Sequence, residues 1–190
     1  MPLNLHIVVC STRPGRVGLY IAKWFAEIAV THEKFTCELV DLAEFALPVY
    51  DEPFHPRLRK YQHEHTKKWS ASVHAADAFV FVTPEYNAGP PPSLLNALNY
   101  VYTEWNYKPA GFVSYGGMSG GVRAVQSEKL TLTTLKMVPL VEAVSIPMAT
   151  KQLNENGQFT PNDSQVTAAT TMLDELLRWA EALKPLRLQH

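Results

Sequence analysis

Two arginines, two hydroxyl side chains and two glycines fall within eight residues, Ser11-Thr12-Arg13-Pro14-Gly15-Arg16-Val17-Gly18, directly after a β-branched apolar run. That combination suits a phosphate. Where a helix follows such a loop, its first N–H groups lack partners and sit at the positive end of the dipole. A guanidinium adds a planar donor fork matched to a phosphate monoester. The loop is not a Walker motif, since no GK[ST] closes it, and not the GxGxxG of dinucleotide folds. The competing account is an ordinary turn with surface arginines.

A second segment, Thr83-Pro84-Glu85-Tyr86-Asn87-Ala88-Gly89-Pro90-Pro91-Pro92, is stiffened by proline and offers a flat tyrosine face beside an amide that both donates and accepts. Such a loop can present backbone amides to the edge of a heteroaromatic ring; equally, it is a constrained crossover with Tyr86 packed inward. The third segment, Ser114-Tyr115-Gly116-Gly117-Met118-Ser119-Gly120-Gly121, has paired glycines that let backbone approach a ligand closely. Tight helix-strand packing would use the same residues. Elsewhere the chemistry is sparse. His63 and His65, two apart on an expected helix, point to different sides and make no metal pair. Asp77 reads as a helix-end or turn residue, and the spacing around Ser119 is not GxSxG.

Short apolar runs at 5–10, 35–42, 78–83, 110–115 and 138–144 alternate with amphipathic stretches near 19–29, 57–76, 94–102, 122–136 and 163–183. Ala43 to Pro56, with three prolines, reads as an extended loop. Five strands alternating with helices predict an α/β fold with a doubly wound parallel sheet and helices on both faces. Ligands of such sheets bind beyond the carboxyl ends of the strands, where strand order reverses. The three loops above follow strands one, three and four.

The chain of 190 residues fits a single domain over 1–190, and 46% hydrophobic residues supply a sizeable core. A net charge of -1 without dense Lys/Arg runs argues against nucleic acid. No stretch approaches the roughly 20 apolar residues of a membrane span, and the N-terminus lacks a signal-peptide layout. Cys10 and Cys37 are expected as two buried thiols rather than a disulfide. A soluble cytoplasmic protein is the expectation.

STRPGR followed by Gly18, then TPEYN at 83–87, then KPAGFVSYGG at 108–117 with Gly120-Gly121 behind it, resemble the NADPH-dependent FMN reductase family, which includes quinone, azo-dye and chromate reductases. The likeness runs in order from about residue 5 to residue 145. It implies a flavodoxin-like fold with FMN as cofactor and NADPH (or NADH) as co-substrate. By that resemblance Ser11, Thr12, Arg13, Arg16 and Gly18 hold the FMN phosphate. Pro84, Glu85, Tyr86 and Asn87 border the isoalloxazine and ribityl chain, and Tyr115, Gly116, Gly117 and Met118 meet the pyrimidine end. Members are usually homodimers or homotetramers with the flavin near the subunit contact. The aromatic stretch Tyr100 to Trp105 is a candidate for that contact, or else packs in its own core. The chain departs from the family where Cys10 replaces a common glycine, Arg16 and Gly18 a common Ser and Asn, and Leu95 a frequent lysine.

The resemblance implies hydride transfer from NAD(P)H through FMN to a small-molecule acceptor, such as a quinone, free flavin, an azo compound or a metal oxyanion, with ping-pong turnover. Backbone N–H groups around Gly116 and Gly117 are expected to stabilise charge at the pyrimidine end. The alternative is an FMN-binding electron carrier or redox-responsive interaction protein. Carriers of that type are usually strongly acidic, so the near-neutral charge favours the enzyme.

Overall fold

The computed structural model describes residues 2–187. Five strands, β1 (Leu3–Val9), β2 (Phe35–Asp41), β3 (Ala78–Pro84), β4 (Pro109–Tyr115) and β5 (Val138–Ile146), pair in parallel in the order β2-β1-β3-β4-β5. Parallel neighbours need crossovers, and helices supply them: α1 (Gly18–Thr31), α2 (Leu42–Phe45), α3 (Glu64–Ala75), α4 (Pro92–Tyr100) and α5 (Val122–Thr134), while α6 (Asp163–Arg187) follows β5. This is the doubly wound, flavodoxin-like order. The strand sequence reverses between β1 and β3, so the loops leaving those two strands flank one crevice.

Strand parity sorts the core into two layers. Leu5, Ile7, Val9, Val80, Val82 and Val113 face α1 and α6, meeting Ile21, Phe25, Met172 and Leu176. Val8, Phe79, Phe81 and Phe112 face the other way, against Trp69, Leu98, Trp105, Val125 and Leu132. Every residue of β3 and β4 is buried, which is why their sequences are apolar but for Thr83, Ser114 and the Tyr115 hydroxyl. Each large side chain enclosed here contributes roughly 1.5–3 kcal/mol.

Helix α3 begins at Glu64, not near Arg57. Pro56–Leu58 forms a separate 3-10 turn that ends with Arg59 in the left-handed region at φ 51. The helix start is held from a distance, because the Glu52 carboxylate accepts from the Gln62 and His63 N–H groups at 2.9–3.1 Å. His63 precedes the helix with extended backbone, so it does not diverge from His65 as helical spacing requires. The two imidazoles stack with centroids 5.2 Å apart, and His65 Nε2 lies 3.1 Å from Asp51 Oδ1. Among the described residues, no group of three or more His, Cys, Asp or Glu is placed to hold a metal, and no helix is long and apolar enough to cross a membrane.

Helix α6 runs past the expected end at Leu183, carrying Pro185 in its final turn. Arg187 explains the extension: its Nη2 donates to Asp77 Oδ1 at 2.6 Å, and Asp77 also accepts from the Asn4 N–H at 2.9 Å. The buried Lys108 Nζ donates to the Val73 and His74 carbonyls, at 2.7 and 3.1 Å, where α3 ends. Tyr100, Val101, Glu104 and Trp105 are buried in the chain's own core, which takes most of that aromatic stretch away from any subunit contact. Both thiols are free; Cys10 is buried and Cys37 half-buried.

Candidate functional site

The three loops gather at the carboxyl edge of the sheet, because parallel strands in register end together. Val9 pairs with Val82, and Pro84 with Tyr115. Loops one and two touch directly: the Ser11 and Tyr86 hydroxyls are 2.7 Å apart across 75 residues of sequence. Ser93, from α4, donates its hydroxyl to the Cys10 carbonyl and fixes where the first loop leaves β1. Within that loop the Arg16 N–H donates to the Arg13 carbonyl at 3.2 Å, and Gly15 takes φ 70. Thr12, Arg13 and Gly15 are exposed, whereas Ser11 and Gly18 are buried.

No side chain caps α1, so the first N–H groups of the helix open into the loop. Two buried donors there lack partners, Arg16 Nε and the Tyr115 hydroxyl. Arg16 is not wholly free for a ligand, since its Nη2 forms an ion pair with Asp41 at the end of β2. Asp41 in turn accepts from the Ala43 N–H at 3.0 Å and starts α2, which couples the first loop to the segment after β2. Nothing in the spacing of Arg16 and Asp41 announces that pair; only the β1-β2 register, which sets Val9 beside Asp41, brings them together.

The second loop is a tight two-residue hairpin turn. Tyr86 and Gly89 exchange N–H···O bonds of 2.9 and 3.0 Å, and Asn87 and Ala88 between them have φ 50 and 64. Glu85 points to α5 instead of into the turn. Its Oε1 accepts from Arg123 Nε at 2.8 Å and also pairs with Arg123 Nη2, and its Oε2 accepts from the Arg123 N–H at 3.2 Å. Burial pushes the Glu85 carboxyl up, but hydrogen bonds from Arg123 and Ser119 outweigh it and hold it below the usual range. Arg123 is the residue the sequence reading missed; its position in the first turn of α5 was the available signal.

The glycine loop closes on the third side. Gly116 N–H donates to the Ile146 carbonyl at 3.2 Å, so that donor is not available to a ligand as expected. Gly117 accepts from Met148 N–H at 2.9 Å and has open space where a Cβ would stand, while Met118 is 92% exposed. Gly121, at φ 87, admits no side chain, because a Cβ would sit 2.8 Å from both Ser114 Cβ and Tyr115 N. The Tyr115 ring does not join this loop. It ends β4 facing the α1 side, and its hydroxyl reaches Gly18, where a Cβ would clash with the hydroxyl and lie 3.2 Å from Tyr115 Cζ. The residues therefore form one cleft with a donor-rich end at loop one and an open, side-chain-poor end at Gly117. Beside Thr12 lies a groove of about 700 Å³ bordered by Leu42, Val49, Leu95 and Asn99.

Residues 3–151, from β1 into the 3-10 turn at Ala149–Gln152, match the family described as NADPH-dependent FMN reductase. An NAD(P)H-dependent FMN reductase of Schizosaccharomyces pombe is 40% identical over 147 residues, covering 76% of this chain and 74% of the yeast protein. One of Saccharomyces cerevisiae is 37% identical over 166 residues, covering 81% and 86%. Among solved structures, FerB from Paracoccus denitrificans, described as a flavoenzyme NAD(P)H:(acceptor) oxidoreductase, superposes with a TM-score of 0.74 at 21% identity, covering 95% of this chain and 98% of its own. That last likeness is one of fold. The family match takes in all three loops, and the chain belongs to the NADPH-dependent FMN reductase family.

Proposed function

We propose that the cleft holds FMN and that the protein passes reducing equivalents from NAD(P)H to a small flat acceptor such as a quinone. Two buried donors without partners, at a helix start that no side chain caps, support the phosphate end. An acceptor-only dianion supplies what such donors lack. Ser11, Thr12, Arg13, Arg16 and the Gly18 end of α1 would hold it. Pro84, Glu85, Tyr86 and Asn87 would border the ring and ribityl chain, with Gly117 and Met118 at the pyrimidine end.

Bound there, FMN supplies hydride acceptance from the nicotinamide nucleotide and delivery of electrons to the acceptor. The protein supplies position. The Ser11–Tyr86 contact holds loops one and two at a fixed separation, and the Glu85–Arg123 pair does the same for loops two and three. Asp41 restrains one arm of Arg16 and leaves Nε facing inward. Gly117, without a side chain, keeps the open end accessible to flat molecules. We place a homodimer or homotetramer in the same reading, with the exposed Val49 and Leu95 beside Thr12 as its contact.

The test is anaerobic. FMN is added to the protein, then NADPH or NADH, and the oxidised flavin band is followed. Bleaching that a quinone reverses is the expected result. Absence of flavin binding refutes the site. A bound flavin that both nucleotides leave oxidised indicates a carrier, and light scattering reads the oligomeric state.

A further inference from the structure

Tyr115 is set apart by where its hydroxyl ends. Strand alternation sends its side chain into the layer shared with Val82 and Val113, away from the glycine loop that continues from its backbone. The ring is enclosed, with the residue 7% exposed. The hydroxyl arrives at the first residue of α1, so close that Gly18 has no room for a Cβ. It has no partner there in hydrogen-bond geometry, and the Ser11 hydroxyl nearby, which slightly favours the ionised phenol, pairs with Tyr86 at 2.7 Å. Burial pushes the phenol far above its ordinary value, so the group stays protonated and remains a donor at any working pH.

A buried hydroxyl left without a partner is costly, and one at a site that gathers other donors has a ready explanation. Arg16 Nε is the second unpartnered donor, and the uncapped first turn of α1 is the third feature. All three lack the same thing, an acceptor carrying negative charge. We infer that the Tyr115 hydroxyl donates a hydrogen bond to the phosphate of FMN, so that this residue of the third loop serves the phosphate end of the site and not the pyrimidine end of the ring. The assignment rests on FMN occupying the cleft.

Tyr115→Phe removes the hydroxyl and little else. Dissociation constants for FMN and for riboflavin, which shares the ring and ribityl chain but lacks the phosphate, are measured by flavin fluorescence with wild type and variant. FMN binding is expected to weaken roughly 10- to 100-fold, as for one lost hydrogen bond to a charged group. Riboflavin binding is expected to be unchanged. Urea unfolding of the flavin-free variant should show no loss of stability, since the deleted group has no partner in the protein. Equal weakening for both flavins places the hydroxyl on the ring or ribityl chain and overturns the inference; so does unaltered FMN binding. A wild type that binds neither flavin is a different result, and refutes the cleft as a flavin site altogether.

Discussion

Replacing Glu128 by glutamine is expected to stabilise the protein at neutral pH and to do nothing in mild acid. Glu128 lies on the face of α5 that carries Ala124, Val125 and Leu132 into the core, and it is 1% exposed. Neither carboxylate oxygen has a partner in hydrogen-bond geometry. Burial raises its pKa from the ordinary 4.5 to about 7, and the Thr131 hydroxyl, one turn on, offsets only part of that. The folded pKa is thus above the unfolded one. The stability this group permits is complete below about pH 4.5 and is lost as pH rises through 7. At ~1.4 kcal/mol per pH unit, the gap amounts to about 3 kcal/mol against the fold at pH 8. Glutamine keeps the shape and removes the charge. Urea unfolding of wild type and Glu128→Gln, in the same flavin state, reads the difference at several pH values. A gain of about 2–3 kcal/mol at pH 8 that shrinks to nothing by pH 4.5 is the expected course. A difference that ignores pH, or a variant less stable at pH 8, would show that the carboxylate is satisfied as an anion and that the reasoning is wrong.

Three further outcomes can be checked. Gly18→Ala should destabilise by roughly 1–3 kcal/mol through overpacking, and a Tyr115→Phe background should recover much of that, since the nearest remaining ring atom would be 3.2 Å away; a double-mutant cycle by urea unfolding measures the coupling. Ala88→Gly should raise the unfolding free energy by up to ~1 kcal/mol, because Ala88 sits at φ 64 in the turn after Tyr86; a loss of stability contradicts this. Burial lowers the Lys108 pKa from 10.5 to about 7, so the unfolded chain binds that proton first and wild-type stability rises with pH between those values. Lys108→Met should lose that rise, which has a limiting slope of ~1.4 kcal/mol per pH unit, as seen in unfolding midpoints at pH 7 and 9.

The sheet and its helices were legible in the sequence because their signals are local. Apolar runs such as Phe79-Val80-Phe81-Val82 read as covered strands, and they are covered. What escaped was set by residues far apart in sequence. Helix α3 starts late because Glu52 holds Gln62 and His63, and the same turn brings the two imidazoles into a stack. The last helix, expected to end near Leu183, continues because Arg187 gains Asp77. In the cleft, the residue types of the three loops were readable while their commitments were not. Asp41 takes an arm of Arg16 from another strand, Arg123 occupies Glu85, Ile146 takes the Gly116 N–H, and strand alternation sends Tyr115 to Gly18.

The contacts that hold the cleft together bridge long stretches of chain: Ser11 to Tyr86 across 75 residues, Glu85 to Arg123 across 38, and Arg16 to Asp41 across 25. No single loop contains the cleft; it exists only where β1, β3 and β4 bring the three loops together. The consequence is practical. With FMN in that cleft, yellow colour per mole of purified protein reports the assembled upper edge of the sheet, including β1, β3, β4 and the starts of α1 and α5. Variants that colour normally have built all of those elements, whatever their turnover, while pale variants with intact loop residues point to a fault in the framework beneath.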